Sequence, residues 1–416
     1  MRALRSFLPV QRGELAKVAL LATNVFVLLT TYYVLKVVRE PLILLDGGAE
    51  VKAYASAGQA ALLLFVVPAF GALAARRSRL QLMVSVQTFF IGCLVAFYAL
   101  SRAHVPIGIA FYLWVGVFNV LVISNFWSFA ADVFTQDQGK RLFGVIGLGG
   151  SAGAIVGALV PGFLKHHVDI YGLMMVAAGG LALSTVIYAF VDRLGRAGSK
   201  SPERMDRKGG FALVASDRYL RLIAIMVVLA TVVNTTGEYV IGSMVTDASY
   251  AVADRGAYIA SFYSSYYGAV NIASALIQGF VVARLLGAIG VRRTLFVMPL
   301  VALGSWLLFL GRTTVSMIRL TKTAENSFDY SLHNTVRQAL FLPTSRDAKY
   351  KAKAAIDTFV FRIADVVAGL GVVYVLVHLG VGARGFAIVN IAITLVWLAL
   401  VARTGRLHDE LAGRAS

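Results

Sequence analysis

The sequence contains few charged residues, few acidic side chains and a single cysteine. Charged residues make up 14% of the 416 positions and hydrophobic residues 58%, whereas roughly a quarter of a soluble protein is charged. The one cysteine, Cys93, lies in an apolar run, which excludes an internal disulfide and argues against metal or redox chemistry. A composition this apolar predicts a protein that resides in a lipid bilayer.

Apolar runs long enough to cross a bilayer as a helix, about 20 residues each, occur twelve times along the chain. Span 10 is more polar than the others, and a solvated loop or a surface amphipathic helix is its alternative. We include it because an even number of spans preserves the charge distribution described next. The predicted spans 1 to 12 are residues 17–44, 54–75, 80–101, 106–133, 140–164, 170–192, 218–246, 257–283, 292–311, 314–341, 353–379 and 382–403.

The 39 Lys and Arg residues are distributed unevenly on this map. Six lie inside spans and six on one side of the membrane, and the rest gather on the other side. An excess of basic residues is typical of cytoplasmic loops, so both termini are predicted to be cytoplasmic. The apolar run of span 1 is too long for a signal peptide, so we predict that span 1 is not cleaved. The net charge of +18 therefore needs no nucleic acid to explain it. The basic side includes Arg2, Arg5, Arg12, Lys17, Arg76, Arg77, Arg79 and residues of 193–221.

A polar segment rich in Gly and Ser divides the spans into two sets of six. We predict an N-terminal half at 1–192, a flexible cytoplasmic linker at 193–217 and a C-terminal half at 218–416. The stretch GALAARRSRLQLM from Gly71 and the stretch GFVVARLLGAIGVRRTLFVM from Gly279 echo each other. Both resemble the loop motif of major facilitator transporters, which are two six-span halves with substrate bound near the midplane. The expected fold is therefore all-α, polytopic and major-facilitator-like.

Charged and amide side chains are costly inside a membrane span and mark candidate functional sites. They concentrate in spans 1, 4, 7, 10 and 11. Cations there suit an anionic substrate, because arginine can bind phosphate or carboxylate with two parallel hydrogen bonds. The acidic residues have an alternative role in an interdomain gate or in structural ion pairs, such as Asp357 with Lys353 and Arg362 with Asp365 at a spacing of three. Candidate substrate-binding residues are Lys36, Arg39, Asn234, Glu238, Lys322, Asn334, Arg337 and Arg362. Candidate gating or coupling residues are Glu40, Glu325, Asp329, His333, Asp357 and Asp365.

Three further patterns have a structural interpretation. Polar residues recur every three or four positions over 319–337 in span 10, which predicts one polar helix face directed at water or ligand. The tyrosine-rich run YIASFYSSYYG at 258–268 predicts helix packing and interfacial anchoring, with stacking on a ring as the alternative. The glycine-rich stretch GLGGSAG at 147–153 predicts close helix packing.

Two long stretches resemble the nucleotide transporter family, the ATP/ADP translocases of plastids and intracellular bacteria. They are NFWSFAADVFTQDQGKRLFGVIGLGG at 125–150 and YSLHNTVRQALFLP with YKAKAAID within 330–357. YYVLKVVREPLIL in span 1 and VVNTTGE in span 7 are similar to shorter patterns of that family. The resemblance implies an exchanger of cytosolic and external adenine nucleotides that binds the phosphates with cavity cations. It places Arg39, Glu238 and Arg337 at positions of functional charged residues.

The sequence departs from the family pattern at several positions that change the charge of the cavity. Tyr112 stands where the family has a glutamate, Asn334 and Gln338 replace acidic residues, and Asp329 replaces a lysine. Two other functions therefore stay open. One is a proton-coupled transporter of another organic anion or a lipid, with Glu238 or Asp365 setting the coupling. The other is a non-transporting membrane sensor or assembly partner.

The sequence has no pattern typical of an enzyme, such as a Walker-type loop, a metal cluster or a nucleophile with its base. We therefore expect no enzymatic activity and no cofactor. The expected partners are a small anionic solute, a nucleotide in the favoured interpretation, and the lipid bilayer. We expect a monomer in the inner membrane of a bacterium.

Overall fold

The computed structural model of the protein describes residues 11, 13–74, 78–194, 210–345 and 348–415. Regular structure within these ranges is entirely helical, because a helix satisfies its own backbone hydrogen bonds in a bilayer. The last part of the predicted linker forms a short helix, Gly210–Ser216. Outside the described residues lie Arg2, Arg5, Arg12, Arg76, Arg77 and positions 195–209 of the linker.

A helix lies on each of the twelve predicted spans. Spans 1 and 2 are Leu15–Ala74, interrupted at Gly48, whose φ of 70° breaks the helix between them. Span 8 continues into the π-helix Ile277–Val282 and then Ala283–Thr294, where Gly290 with φ 73° ends it and span 9 begins. Spans 3 to 7 are Arg79–Arg102, Gly108–Val133, Gln136–Leu164, Gly172–Arg193 and Arg218–Ser249. The main part of span 9 is Val297–Gly311, and span 12 is Ala383–Ala415.

Spans 10 and 11 alternate between α-helical and π-helical turns. Span 10 consists of Val315–Phe328, the π-helix Asp329–His333 and Asn334–Ala339. A π-helical turn hydrogen-bonds from residue i to i+5 and is frequent at functional sites. Span 11 consists of the π-helices Ala348–Ala352, Ile356–Val360 and Val367–Val373 with the α-helical pieces Lys353–Ala355, Phe361–Val366 and Tyr374–His378.

Nine helical stretches within the described ranges are long and apolar enough to cross a membrane. One of them, Leu15–Gly71, covers spans 1 and 2, and another, Arg255–Thr294, covers span 8 and the start of span 9. Span 10 falls outside this set because it carries several charges. The predicted all-α, polytopic class is confirmed.

The chain forms two compact units. Unit 1 comprises the described residues of Met1–Asp46, Leu62–Glu203 and Val252–Gly268. Unit 2 comprises those of Gly47–Ala61, Arg204–Ala251 and Ala269–Ser416. The start of span 2 thus packs in unit 2 and the start of span 8 in unit 1. The division of the sequence at the linker stays a prediction.

Span 5 packs against span 1 in unit 1 through glycines that recur at every fourth position. A methyl group at any of them would overlap a main-chain carbonyl of span 1, so the two backbones are in direct contact. The contacts pair Gly149, Gly153 and Gly157 with Ala22, Phe26 and Thr30. The close packing predicted for the stretch 147–153 is therefore confirmed for its two glycines in this set.

The start of span 1 is held by the start of span 5. Thr135 and Gln138 form a capping box at the N-terminus of Gln136–Leu164. The buried carboxylate of Glu14 accepts hydrogen bonds from Gln138 Nε2 at 3.0 Å and from Arg141 Nη2 at 2.8 Å. Gln138 and Arg141 of the stretch 125–150 therefore anchor the start of span 1, which carries the first group of intramembrane charges.

Candidate functional site

The candidate residues of span 1 form a compact cluster in unit 1. Arg39 Nη2 lies 2.5 Å from Glu40 Oε1, and its Nε donates to the same oxygen at 3.2 Å. The Glu40 side chain is fully buried and the Arg39 side chain is 11% exposed. The hydroxyl of Tyr267 also donates to Glu40 Oε1, at 2.9 Å. One carboxylate oxygen thus accepts three donors.

Tyrosine rings cover both cations of this cluster. Lys36 Nζ lies 4.2 Å from the ring centroid of Tyr267 and 5.3 Å from that of Tyr33. Arg39 Cζ lies 4.3 Å from the ring centroid of Tyr112. The resemblance predicted a glutamate where Tyr112 stands. An aromatic face attracts a cation without adding a formal negative charge, so Tyr112 holds the guanidinium without neutralising it.

A second polar cluster connects spans 7 and 10 in unit 2. Lys322 is completely buried, and its Nζ donates to Asn234 Oδ1 at 2.9 Å and to Glu325 Oε2 at 3.0 Å. Asn326 Nδ2 donates to Glu238 Oε1 at 3.1 Å. A buried ammonium group is tolerated only when it is paired and hydrogen-bonded in this way.

Two residues outside the predicted set complete this second cluster. Lys52 of span 2 is buried, and its Nζ lies 3.7 Å from Glu238 Oε2. Gly237 provides the space for Lys322, because a Cβ there would lie 2.9 Å from Nζ and 3.0 Å from Cδ of that lysine. A residue larger than glycine at position 237 of the NTTGE stretch would therefore overlap the Lys322 side chain.

Four of the remaining charged candidates form two ion pairs in unit 2. Arg337 Nη2 lies 3.9 Å from Asp357 Oδ1, whereas the sequence suggested Lys353 as the partner of that aspartate. Arg362 Nη1 lies 3.5 Å from Asp365 Oδ2, which confirms the pairing expected from their spacing. The side chains of both pairs are partly exposed.

His333 and Arg337 line a small pocket of unit 2. Its other walls are apolar, and the His333 ring packs edge-on against Trp397 with centroids 5.7 Å apart. The apolar lining consists of Ile223, Met226, Val227, Leu295 and Leu340.

The single polar face predicted for span 10 stays a prediction. Lys322, Glu325 and Asn326 of this face are buried, whereas His333 and Arg337 are partly exposed. The π-helical turn Asp329–His333 lies between the two groups. It adds a residue to the turn, so the positions after it are rotated relative to those before it.

Sequence reasoning missed Lys52, Tyr112 and Tyr267 as members of the polar clusters. Lys52 was assigned to a loop, and the tyrosine-rich run was interpreted as packing. Their contacts join positions 186 and 227 residues apart, Lys52 with Glu238 and Glu40 with Tyr267. No local pattern signals such contacts. Tyr112 did have a signal in the sequence, because it stands where the family pattern has a charged residue, a glutamate.

The family model of the Major Facilitator Superfamily matches residues 21–321. The match covers more than half of the chain. The chain therefore belongs to the Major Facilitator Superfamily, and the predicted major-facilitator-like fold is confirmed. Membership of this family indicates a multi-pass membrane transporter fold.

Curated relatives confirm the resemblance to ADP,ATP carriers. ADP,ATP carrier protein 1 of Chlamydia trachomatis is 21% identical over 335 residues, which are 70% of this chain and 63% of that carrier. ADP,ATP carrier protein 5 of Rickettsia conorii is 22% identical over 342 residues, 72% of this chain and 68% of that carrier. The chloroplastic ADP,ATP carrier protein 1 of Arabidopsis thaliana is 24% identical over 282 residues, 59% of this chain. The matches span 45% to 68% of the length of these carriers.

Solved structures show the same fold at low identity. The nucleoside transporter NupG has a TM-score of 0.65 and 13% identity, with 94% of this chain and 99% of that chain covered. A bacterial homologue of the iron transporter ferroportin, in an inward-facing state, has a TM-score of 0.68 and 12% identity, with 94% and 99% covered. These similarities concern the fold and carry no information on the substrate.

Proposed function

We propose that this protein is a secondary transporter that exchanges adenine nucleotides, or a related phosphate-bearing anion, across a bacterial inner membrane by alternating access. The observation that carries the proposal is the cluster of unit 1, in which Tyr267 contacts Lys36 and Glu40, and Glu40 holds Arg39. The distant relatives named ADP,ATP carriers support adenine nucleotides as the solute.

The cluster of unit 1 is suited to phosphate by geometry as well as charge. Glu40 and Tyr112 fix the guanidinium plane of Arg39 from two directions, so less side-chain freedom is lost when an anion binds. A planar guanidinium presents two parallel donors to a phosphate. Partial burial strengthens the attraction, because water screens it less.

The charged residues of unit 2 have separate roles in this proposal. Arg337 and Arg362 are partly exposed and provide further contacts for the anion. Lys322 is held by Asn234 and Glu325 and binds substrate only in a conformation in which that pair opens. Glu325, Asp329, His333, Asp357 and Asp365 then act in gating or coupling.

Exchange in proteoliposomes tests the proposal. We expect labelled ATP to enter vesicles that are loaded with ADP and to stay outside empty vesicles. Arg39→Gln should raise the half-saturating ATP concentration at least tenfold, since an ionic hydrogen bond is worth about 1.5–3 kcal/mol. The matched control is Arg102→Gln, which removes an arginine whose ion pair with Asp169 is mostly exposed. Absence of uptake by folded, correctly inserted protein would exclude nucleotide exchange.

A second candidate function is proton-coupled transport of another organic anion. The observation that favours it is Glu238, a partly buried carboxylate between Lys52 and Asn326 that a proton could occupy. In this case a pH gradient alone drives uptake into empty vesicles, and Glu238→Gln abolishes the dependence on that gradient. Uptake that needs internal nucleotide and ignores the pH gradient excludes this function.

A further inference from the structure

Tyr267 contacts both ends of the charged cluster of unit 1. Its side chain is buried, with 3% of the residue exposed, and it lies in the part of span 8 that belongs to this unit. Its hydroxyl donates to Glu40, and the ammonium group of Lys36 lies over the face of its ring. We propose that Tyr267 is a positioning residue that sets the affinity of Lys36 and Arg39 for the phosphate groups of the substrate. This inference rests on the proposed nucleotide exchange.

The hydroxyl acts through Glu40. It donates to Oε1, the oxygen that also accepts both hydrogen bonds from Arg39. A carboxylate that is shared with a second donor attracts the guanidinium less strongly. Without the hydroxyl, more of the negative charge acts on Arg39, and the guanidinium is less available to an anion.

The ring acts through Lys36. The ammonium group lies 4.2 Å from the ring centroid, within the range of a cation–π contact. The ring quadrupole holds the ammonium in position without adding a formal negative charge beside it. An aliphatic side chain of similar size would fill the space without holding the cation there.

Two substitutions separate these roles. Tyr267→Phe removes the hydroxyl and keeps the ring, and we expect it to raise the half-saturating ATP concentration about three- to tenfold. Tyr267→Leu removes both, and we expect a rise of about tenfold or more. The matched controls are Tyr258→Phe and Tyr258→Leu in the same tyrosine-rich run, and neither should change this concentration.

A purely structural role for Tyr267 predicts a different pattern. If Tyr267 acts through the cations, the loss of affinity increases with the charge of the ligand, from AMP to ADP to ATP, and adenosine is unaffected. In the Glu40→Gln background the Phe substitution should have no further effect. In the Lys36→Met background, Tyr267→Leu should lower the affinity for ATP no more than Tyr267→Phe does. Calorimetry on the purified variants measures their affinity for nucleotide even if transport is lost.

The outcomes distinguish this inference from the proposed function. If the wild type takes up nucleotide but both Tyr267 variants weaken AMP, ATP and adenosine equally, the positioning role is wrong and the transport function stands. If the wild type neither transports nor binds nucleotide, the proposed function is wrong. The same variants are then compared in their affinity for inorganic pyrophosphate, and equal affinities would overturn the role of Tyr267 as well.

Discussion

Lys322 carries a positive charge, yet no part of it is exposed. Removing one partner of a buried ion pair costs about 3–5 kcal/mol, because the other charge is left without compensation. We therefore expect Lys322→Met to lower the stability of the protein in detergent by about this amount, as measured by thermal unfolding. The double variant Lys322→Met/Glu325→Gln should recover part of the loss.

A control for this prediction uses an ion pair at the surface. Arg102→Met breaks the exposed pair with Asp169, and exposed pairs contribute about 0–1 kcal/mol. Equal losses for Lys322→Met and Arg102→Met, or a double variant with the summed loss of its two components, would show that Lys322 and Glu325 do not act as a pair.

Glu14 gives a prediction on pH. The backbone N–H of Gln11, with Arg141 and Gln138, holds the pKa of this carboxyl below its ordinary value of 4.5, against the effect of burial. A carboxyl group with a lowered pKa stabilises the fold above its unfolded-state pKa, and the contribution is lost as the pH falls through the folded-state value. Glu14→Gln should therefore destabilise the protein at neutral pH and reduce the further loss below about pH 4.5.

Thermal unfolding of the two proteins across the acidic range measures this difference. Glu410→Gln, which alters an exposed glutamate of span 12, is the control and should follow the wild-type profile. A Glu14→Gln profile parallel to that of the wild type at every pH would contradict the proposed role of Glu14 in holding span 1.

At the scale of single residues, the sequence located the charges within the spans but not most of their partners. Burying a charge is costly, so every charge within a span had to be significant. The partner depends on which spans become neighbours. Asp357 illustrates this limit, because it pairs with Arg337 of span 10 rather than with Lys353, four residues before it.

Among the helices, the contact of span 1 with span 5 is sensitive to side-chain size. Gly153→Ala places a methyl group against the carbonyl of Phe26, and overpacking of this kind costs about 1–3 kcal/mol. We expect this variant to unfold at a lower temperature and to expose span 1 to proteolysis. Gly147→Ala is the matched control, because nothing lies within 4 Å of the added methyl. Equal stability of the two variants would contradict the direct backbone contact.

The lengths of the apolar runs predicted the twelve spans but not the π-helical turns within them. The apolar runs are a consequence of bilayer thickness, which acts on each run alone. The π-helical turns Ile277–Val282 of span 8 and Asp329–His333 of span 10 instead pack against each other, and the sequence of either span alone does not signal this contact.

For the whole molecule, a prediction on assembly follows from two segments, each of which belongs to the unit formed mainly by the other half of the sequence. We call them the exchanged segments. Residues 47–61 complete unit 2, and residues 252–268 complete unit 1. Each half of the sequence thus lacks a part of its unit. We expect the fragments 1–203 and 204–416 to be degraded when expressed alone and to be recovered together when co-expressed, as measured by co-purification through a tag on one of them. A stable, monodisperse fragment on its own would contradict the division into these units.

The exchanged segments also constrain how genes of this family can recombine. A crossover within codons 193–217 leaves every span intact and looks harmless in the linear gene. It nevertheless separates Glu40 from Tyr267 and Lys52 from Glu238, since each pair has one member on either side of the crossover. Chimaeras of two relatives that differ at these positions will therefore need compensating substitutions in the opposite half.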